Sequence, residues 1–131
     1  MFAQEKNLHA FALITKEREL VIIKTGNNRW TVPIGKNGEL LHEEFVRELV
    51  KPFFENIKLE DRSFVCDVIP DFWWKGEQYA CHFYAYRFYG EPKDGNSVMF
   101  VTRKSLEAWV FTEDAWNLIC SARKELESRL S

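Results

Sequence analysis

A layered α/β/α sandwich, with a mixed β-sheet between its helices, is the fold class this sequence predicts. Three observations predict it. Apolar, β-branched runs and helical stretches follow one another in the order strands, helix, strands, helix. Residues 40–50 place Leu41, Phe45 and Leu49 at i, i+4 and i+8, the stripe of a helix lying on a core. Residues 78–89 are apolar on both alternate faces, as in a central strand covered from both sides.

The elements follow in order. Residues 9–15 and 20–24 read as a hairpin closed by the charged turn Lys16-Glu17-Arg18-Glu19. Residues 26–29 form a second turn. A short strand from Trp30 stops at Pro33, and residues 34–38 make a loop holding Gly35 and Gly38. Pro52 removes an N–H and clashes with the carbonyl of Glu48, so the helix ends or kinks there. Residues 53–61 read as a mixed linker, residues 64–69 as a strand ended by Pro70, and residues 71–77 as a loop carrying Trp73 and Trp74. In the long strand, Tyr79, Cys81, Phe83 and Ala85 share one face; Ala80, Tyr84, Tyr86 and Phe88 share the other. A polar loop covers residues 90–96, strands follow at 98–102 and 108–111, and Thr112 caps a last helix running towards Leu130, with Glu113 and Asp114 in its first turn.

Composition narrows the function. The 131 residues suit one domain, spanning 1–131, and eleven Phe, five Trp and four Tyr supply much of its core. A net charge of −2 without a Lys/Arg run argues against a nucleic-acid polymer as partner, while a small nucleotide needs only a few local donors. Cys66, Cys81 and Cys120 show no CxxC spacing and read as reduced, buried thiols. His9, His42 and His82 lie too far apart in sequence to suggest a zinc set. Neither a signal peptide nor a transmembrane run is visible, so the expectation is a cytoplasmic protein without a membrane partner.

On a helical wheel Glu44, Glu48 and Lys51 fall within about a quarter of the circumference, flanked by Arg47. Carboxylates at i and i+4 can share a hard cation such as Mg²⁺ or Mn²⁺, although a third or fourth oxygen ligand is normally needed. Here the next group on that face is an ammonium, Lys51, placed to pair with Glu48. The plain alternative is a solvated face on which Glu43, Glu44, Arg47, Glu48 and Lys51 exchange ion pairs.

The segment resembles the Nudix box of the Nudix hydrolases, whose pattern is GX5EX7REUXEEXGU, usually preceded by W-x-x-P-G-G. Trp30-Thr31-Val32-Pro33 is similar to the start of that lead-in, and Ile34-Gly35 to its remnant. Gly38-Glu39 resembles the Gly-Glu at the first box glutamate, and Arg47-Glu48-Leu49 matches RE-U at the correct spacing. The stretch ending Tyr89-Gly90-Glu91 and the pair Trp109-Val110 before the last helix also resemble family features. The resemblance implies a Nudix-like fold, a metal-assisted attack of water on a diphosphate, Arg47 steadying a carboxylate and Glu39 supporting the loop–helix junction. The departures are specific. The two glutamates that complete the metal set fall on Lys51 and Pro52, and the closing glycine on Phe54. Glu48, with Glu44 one turn earlier, is what remains for Mg²⁺ or Mn²⁺. Such metals neutralise the diphosphate and lower the pKa of the attacking water. Losing elements of this kind costs roughly 10²–10³ in rate each.

Two functions follow from the resemblance: a domain that binds a nucleoside-diphosphate-type or other phosphorylated ligand with lost or weak hydrolysis, or a metal-dependent pyrophosphohydrolase with a non-standard ligand set. In the second, Glu43, Glu44, Glu91, Asp94, Glu113 or Asp114 would rebuild the site. A third reading is a protein-interaction or homodimer module. For a ligand, Lys51 offers a point charge to phosphate; Gly35, Gly38 and Glu39 line the preceding loop; and Trp30, Trp73, Trp74 and Tyr84 are candidate stacking surfaces for a flat base.

Overall fold

Two apolar faces on the same central strands organise the molecule. The computed structural model describes residues 8–26, 28–106 and 111–130, and for residues 61–68 the backbone alone. In order the elements are β1 (Leu8–Ile14), β2 (Leu20–Lys24), β3 (Trp30–Thr31), β4 (Ile34–Lys36), α1 (His42–Val50), β5 (Phe54–Trp74), β6 (Glu77–Pro92), β7 (Val98–Val101), a 3-10 turn (Arg103–Ser105), α2 (Glu113–Ser121) and α3 (Arg123–Leu130). The seven strands form one sheet in the order β3-β2-β1-β6-β5, with β4 also pairing β1 and β7 pairing β2. It is mixed: β1 runs parallel to β6 and the other pairings are antiparallel.

Alternation sends Leu8, Ala10, Ala12, Cys81, Phe83 and Ala85 to one face, where Leu118, Ile119 and Leu126 of α2 and α3 cover them. Phe11, Leu13, Tyr86 and Phe88 face the other way and meet Phe45, Val46 and Val50 of α1. The α/β/α layering predicted from the sequence is therefore the layering found.

Several boundaries differ. The stretch read as a linker is already strand: β5 begins at Phe54, and Asn56, with a positive φ of 53°, sits in a ladder irregularity between Glu55 and Lys58. Pro70 does not end the strand. β5 lies at the end of the sheet order and its register shifts between Ile69 and Phe72, the setting in which proline is tolerated. Trp73 and Trp74 belong to β5, because a two-residue turn with positive φ at Lys75 (51°) and Gly76 (83°) closes the hairpin directly onto β6. The segment read as a glycine loop contains β4, whose Gly35 pairs with His9. Leu41 precedes the helix in an extended conformation (φ −63°, ψ 153°) and is 72 % exposed, so it leaves the buried stripe. The last helix breaks at Ala122 (φ −105°, ψ 19°) into α2 and α3. The Thr112 cap is present, its Oγ1 accepting from the backbone N–H of Ala115 at 3.2 Å. The short strand read at 108–111, the pair Trp109-Val110 and the Cys66 side chain lie outside the described residues, Phe111 excepted. No helix among the described residues is long and apolar enough to cross a membrane.

Candidate functional site

The outer face of α1 carries the residues singled out in the sequence. Phe45, Val46 and Val50 bury the helix against the sheet, which turns Glu43, Glu44, Arg47 and Glu48 to solvent. Lys51 keeps helical dihedrals (φ −51°, ψ −39°), donating its N–H to the carbonyl of Arg47 at 2.8 Å, and is exposed; the turn then closes through Phe53 N–H to the Val50 carbonyl. Glu48 and Lys51 form no ion pair within 4.0 Å, as expected where two exposed ions gain little over their hydration. Arg47 reaches instead to β5, its Nη1 donating to the carbonyl of Ile57 at 2.9 Å.

The loop before α1 is built for packing. A Cβ on Gly35 would stand 3.1 Å from Leu49 Cδ2 and 3.3 Å from Phe45 Cζ, so glycine lets β4 run close beneath the helix. Gly38 and Glu39 are exposed at the bend that follows. Asn37 fixes that bend: its Oδ1 accepts from the N–H of Leu40 at 3.1 Å, and its Nδ2 donates to the Leu40 carbonyl at 2.8 Å.

The aromatic candidates divide between the two layers. Trp30 is half-buried, packs against the core under α2 and α3, and accepts the N–H of Thr112 on its carbonyl at 2.9 Å. Trp74 joins the same core, with Tyr79 at 5.9 Å and the Lys75 ammonium 4.7 Å from its ring centroid. Trp73 is 61 % exposed and lines a small cleft with Lys75, Gly76, Glu113, Asp114 and Asn117. Tyr84 lies on the opposite layer, beneath α1. The structure thus brings Tyr84 near the start of α1 and sets Trp30, Trp73 and Trp74 beside α2. Glu113 and Asp114, considered as substitute metal ligands, also sit on α2, across the sheet from Glu48.

A constellation that sequence spacing had dismissed appears beneath α1. All three histidines of the chain meet there. His9 of β1 is buried; its ring centroid lies 4.8 Å from His42, 5.8 Å from His82 and 5.6 Å from Tyr84. His42 also stands 4.3 Å from Tyr84. Burial first, then the neighbouring charges of His42 and His82, pulls the His9 pKa down to about 4. The signal available in the sequence was parity: His9 and His82 fall on the α1-facing side of two strands that pair in register.

A second feature is an open groove of about 930 Å³ at the end of the sheet. It is lined by Lys16, Lys58 and Arg87, with Asn56, Tyr89 and Phe100 among its further walls. Glu17, Glu19, Glu60 and Glu91 line it too, balancing the cations. Glu91 is held by Asn56 Nδ2 at 3.2 Å and Tyr89 Oη at 3.1 Å.

A divalent ion is the cofactor the sequence resemblance implies, and the donor set does not fit one. Among the described residues no group of three His, Cys, Asp or Glu side chains is placed to hold a metal ion. Glu44 and Glu48 alone would leave most of a hard cation's coordination to water.

No model of a known protein family and no curated protein matches this sequence. Its fold does match solved structures. An ADP-ribose pyrophosphatase from Streptococcus suis superposes with a TM-score of 0.69 at 15% identity, covering 98% of this chain and 94% of its own. A MutT Nudix hydrolase from Burkholderia pseudomallei gives 0.62 at 18% identity, over 98% and 99%. A UDP-X diphosphatase gives 0.60 at 15% identity, over 95% of this chain and 66% of its own. The chain has a Nudix-like fold.

Proposed function

We propose that this Nudix-like fold serves as a binding domain for a nucleoside-diphosphate-type or other phosphorylated small ligand, with hydrolysis lost or weak. One observation carries the reading: the two positions that would complete a Nudix metal set hold Lys51 and Pro52, and among the described residues no group of three His, Cys, Asp or Glu side chains is placed to hold a metal ion. An ammonium there opposes a divalent cation, and an imino ring offers it no ligand. Without that charge, neither the diphosphate nor the attacking water is activated.

The ligand class rests on two supports. Fold neighbours are named for ADP-ribose and UDP derivatives, a fold-level analogy. The groove at the sheet end sets Lys16, Lys58 and Arg87 beside Tyr89 and Phe100, which suits a phosphorylated aromatic molecule. Its balancing carboxylates make selectivity a matter of local donors rather than of net field.

The test is a calorimetric screen of ADP-ribose, nucleotide sugars and nucleoside triphosphates, run beside a hydrolysis assay with Mg²⁺ and Mn²⁺. Saturable binding without turnover supports the proposal. Metal-dependent turnover abolished by Glu48→Gln replaces it with the pyrophosphohydrolase reading. Absence of both leaves the interaction module as the better account.

A further inference from the structure

We propose that His9 is a proton-sensitive latch on the segment leading into α1: neutral, it accepts from Asn37 and holds the segment down; protonated, it releases it. The proposal is independent of what the domain binds.

The geometry fixes the proton on His9. The Asn37 amide is pinned from both sides, its Oδ1 accepting the Leu40 N–H at 3.1 Å and its Nδ2 donating to the Leu40 carbonyl at 2.8 Å. Turning the amide over would break both bonds, so its orientation follows from the backbone. The same Nδ2 stands 3.4 Å from His9 Nδ1, with its second N–H available. Nδ1 is therefore the acceptor, and a neutral His9 carries its proton on Nε2.

A second proton would go to Nδ1. There it would set one donor against another, in a site where neither can turn to water. Groups facing His9 come from each surrounding element: His42 and Phe45 from α1, His82 and Tyr84 from β6, Asn37 from the loop, and Gly35 opposite it on β4. The charges acting on His9 are those of His42 and His82, both of which repel an imidazolium. Asn37 yields most readily, since it lies in a loop while His9 is locked in a seven-residue strand paired on both sides. Displacing Asn37 from His9 shifts the Leu40 backbone that it clamps, and with it the start of α1.

The experiment is NMR on the whole chain with ¹⁵N-labelled histidine and backbone amides, from about pH 7.5 to about pH 3, a range that extends below the depressed His9 pKa. Three results are expected: an unprotonated His9 Nδ1 at neutral pH; a drop of about tenfold in Leu40 amide protection, after correction for intrinsic exchange, as the pH falls; and little change at Leu13, near the far end of β1. His9→Phe, which keeps a ring and cannot titrate, abolishes the pH dependence at Leu40. If that variant does not fold, His9→Gln serves: its side-chain amide can accept from Asn37, cannot titrate, and likewise removes the pH dependence at Leu40. A protonated Nδ1 at neutral pH overturns the proposal. So does Leu40 protection that is constant with pH, that falls equally in His9→Phe, or that falls only together with Leu13.

Discussion

Arg47 Nη1 and the carbonyl of Ile57 lie 2.9 Å apart, and this bond ties the solvent side of α1 to the start of β5. A residue whose family likeness implies a role at a metal-bound carboxylate is here a strut between two elements. Arg47→Ala is expected to cost about 1 kcal/mol in urea denaturation, the usual worth of one such bond at the surface. Arg47→Lys, which cannot match the planar donor, should recover only part of it.

Gly35 lies close beneath α1. An added methyl would meet Leu49 Cδ2 at 3.1 Å and Phe45 Cζ at 3.3 Å, tight contacts to which these two packed side chains must yield. Gly35→Ala should destabilise by about 1–3 kcal/mol. Combined with Leu49→Ala, which removes the nearer obstacle, it should cost less than the sum of the two changes. A double-mutant cycle measures the difference.

The depressed His9 pKa fixes the sign of a pH dependence. The folded chain holds this imidazole neutral down to about pH 4, whereas the unfolded chain takes up its proton near 6.5. Between those values the unfolded state binds more protons, so stability is complete above 6.5 and is lost as pH falls towards 4. The loss is at most about 3 kcal/mol. Denaturation midpoints across this range should flatten in His9→Phe.

Burial, and secondarily Asp114, pushes the Cys81 thiol up to about 12, while Cys120 is exposed. Under native conditions a thiol reagent followed by peptide mass spectrometry should label Cys120 and spare Cys81. Both should react in denaturant.

Much of the architecture was legible from periodicity. Both faces of β6, the Phe45 side of α1 and the Thr112 cap were read from residue types alone, because burial and capping act on local pattern. What was not legible depends on pairing. Residues 54–61 carry mixed polarity and become strand only because β6 lies alongside, and Pro70 is tolerated only because β5 is at the sheet end. Lys75-Gly76 is a weaker turn signal than Asn-Gly, so the Trp73-Trp74 segment read as loop. Lys51 and Pro52 are visible in the sequence at the positions that the Nudix-box resemblance would give to glutamates. The histidine cluster was not, since only the in-register pairing of β1 with β6 and the docking of α1 bring His9, His42 and His82 together.

On the proposed reading, the outer face of α1 does not hold a divalent cation. Calorimetric titration of Mn²⁺ into the unmodified chain and into Glu48→Gln tests it most directly. The account predicts two superimposable titrations with no saturable heat up to about millimolar metal, the weak end of protein sites for hard cations. A saturable heat in the unmodified chain that Glu48→Gln abolishes would contradict it.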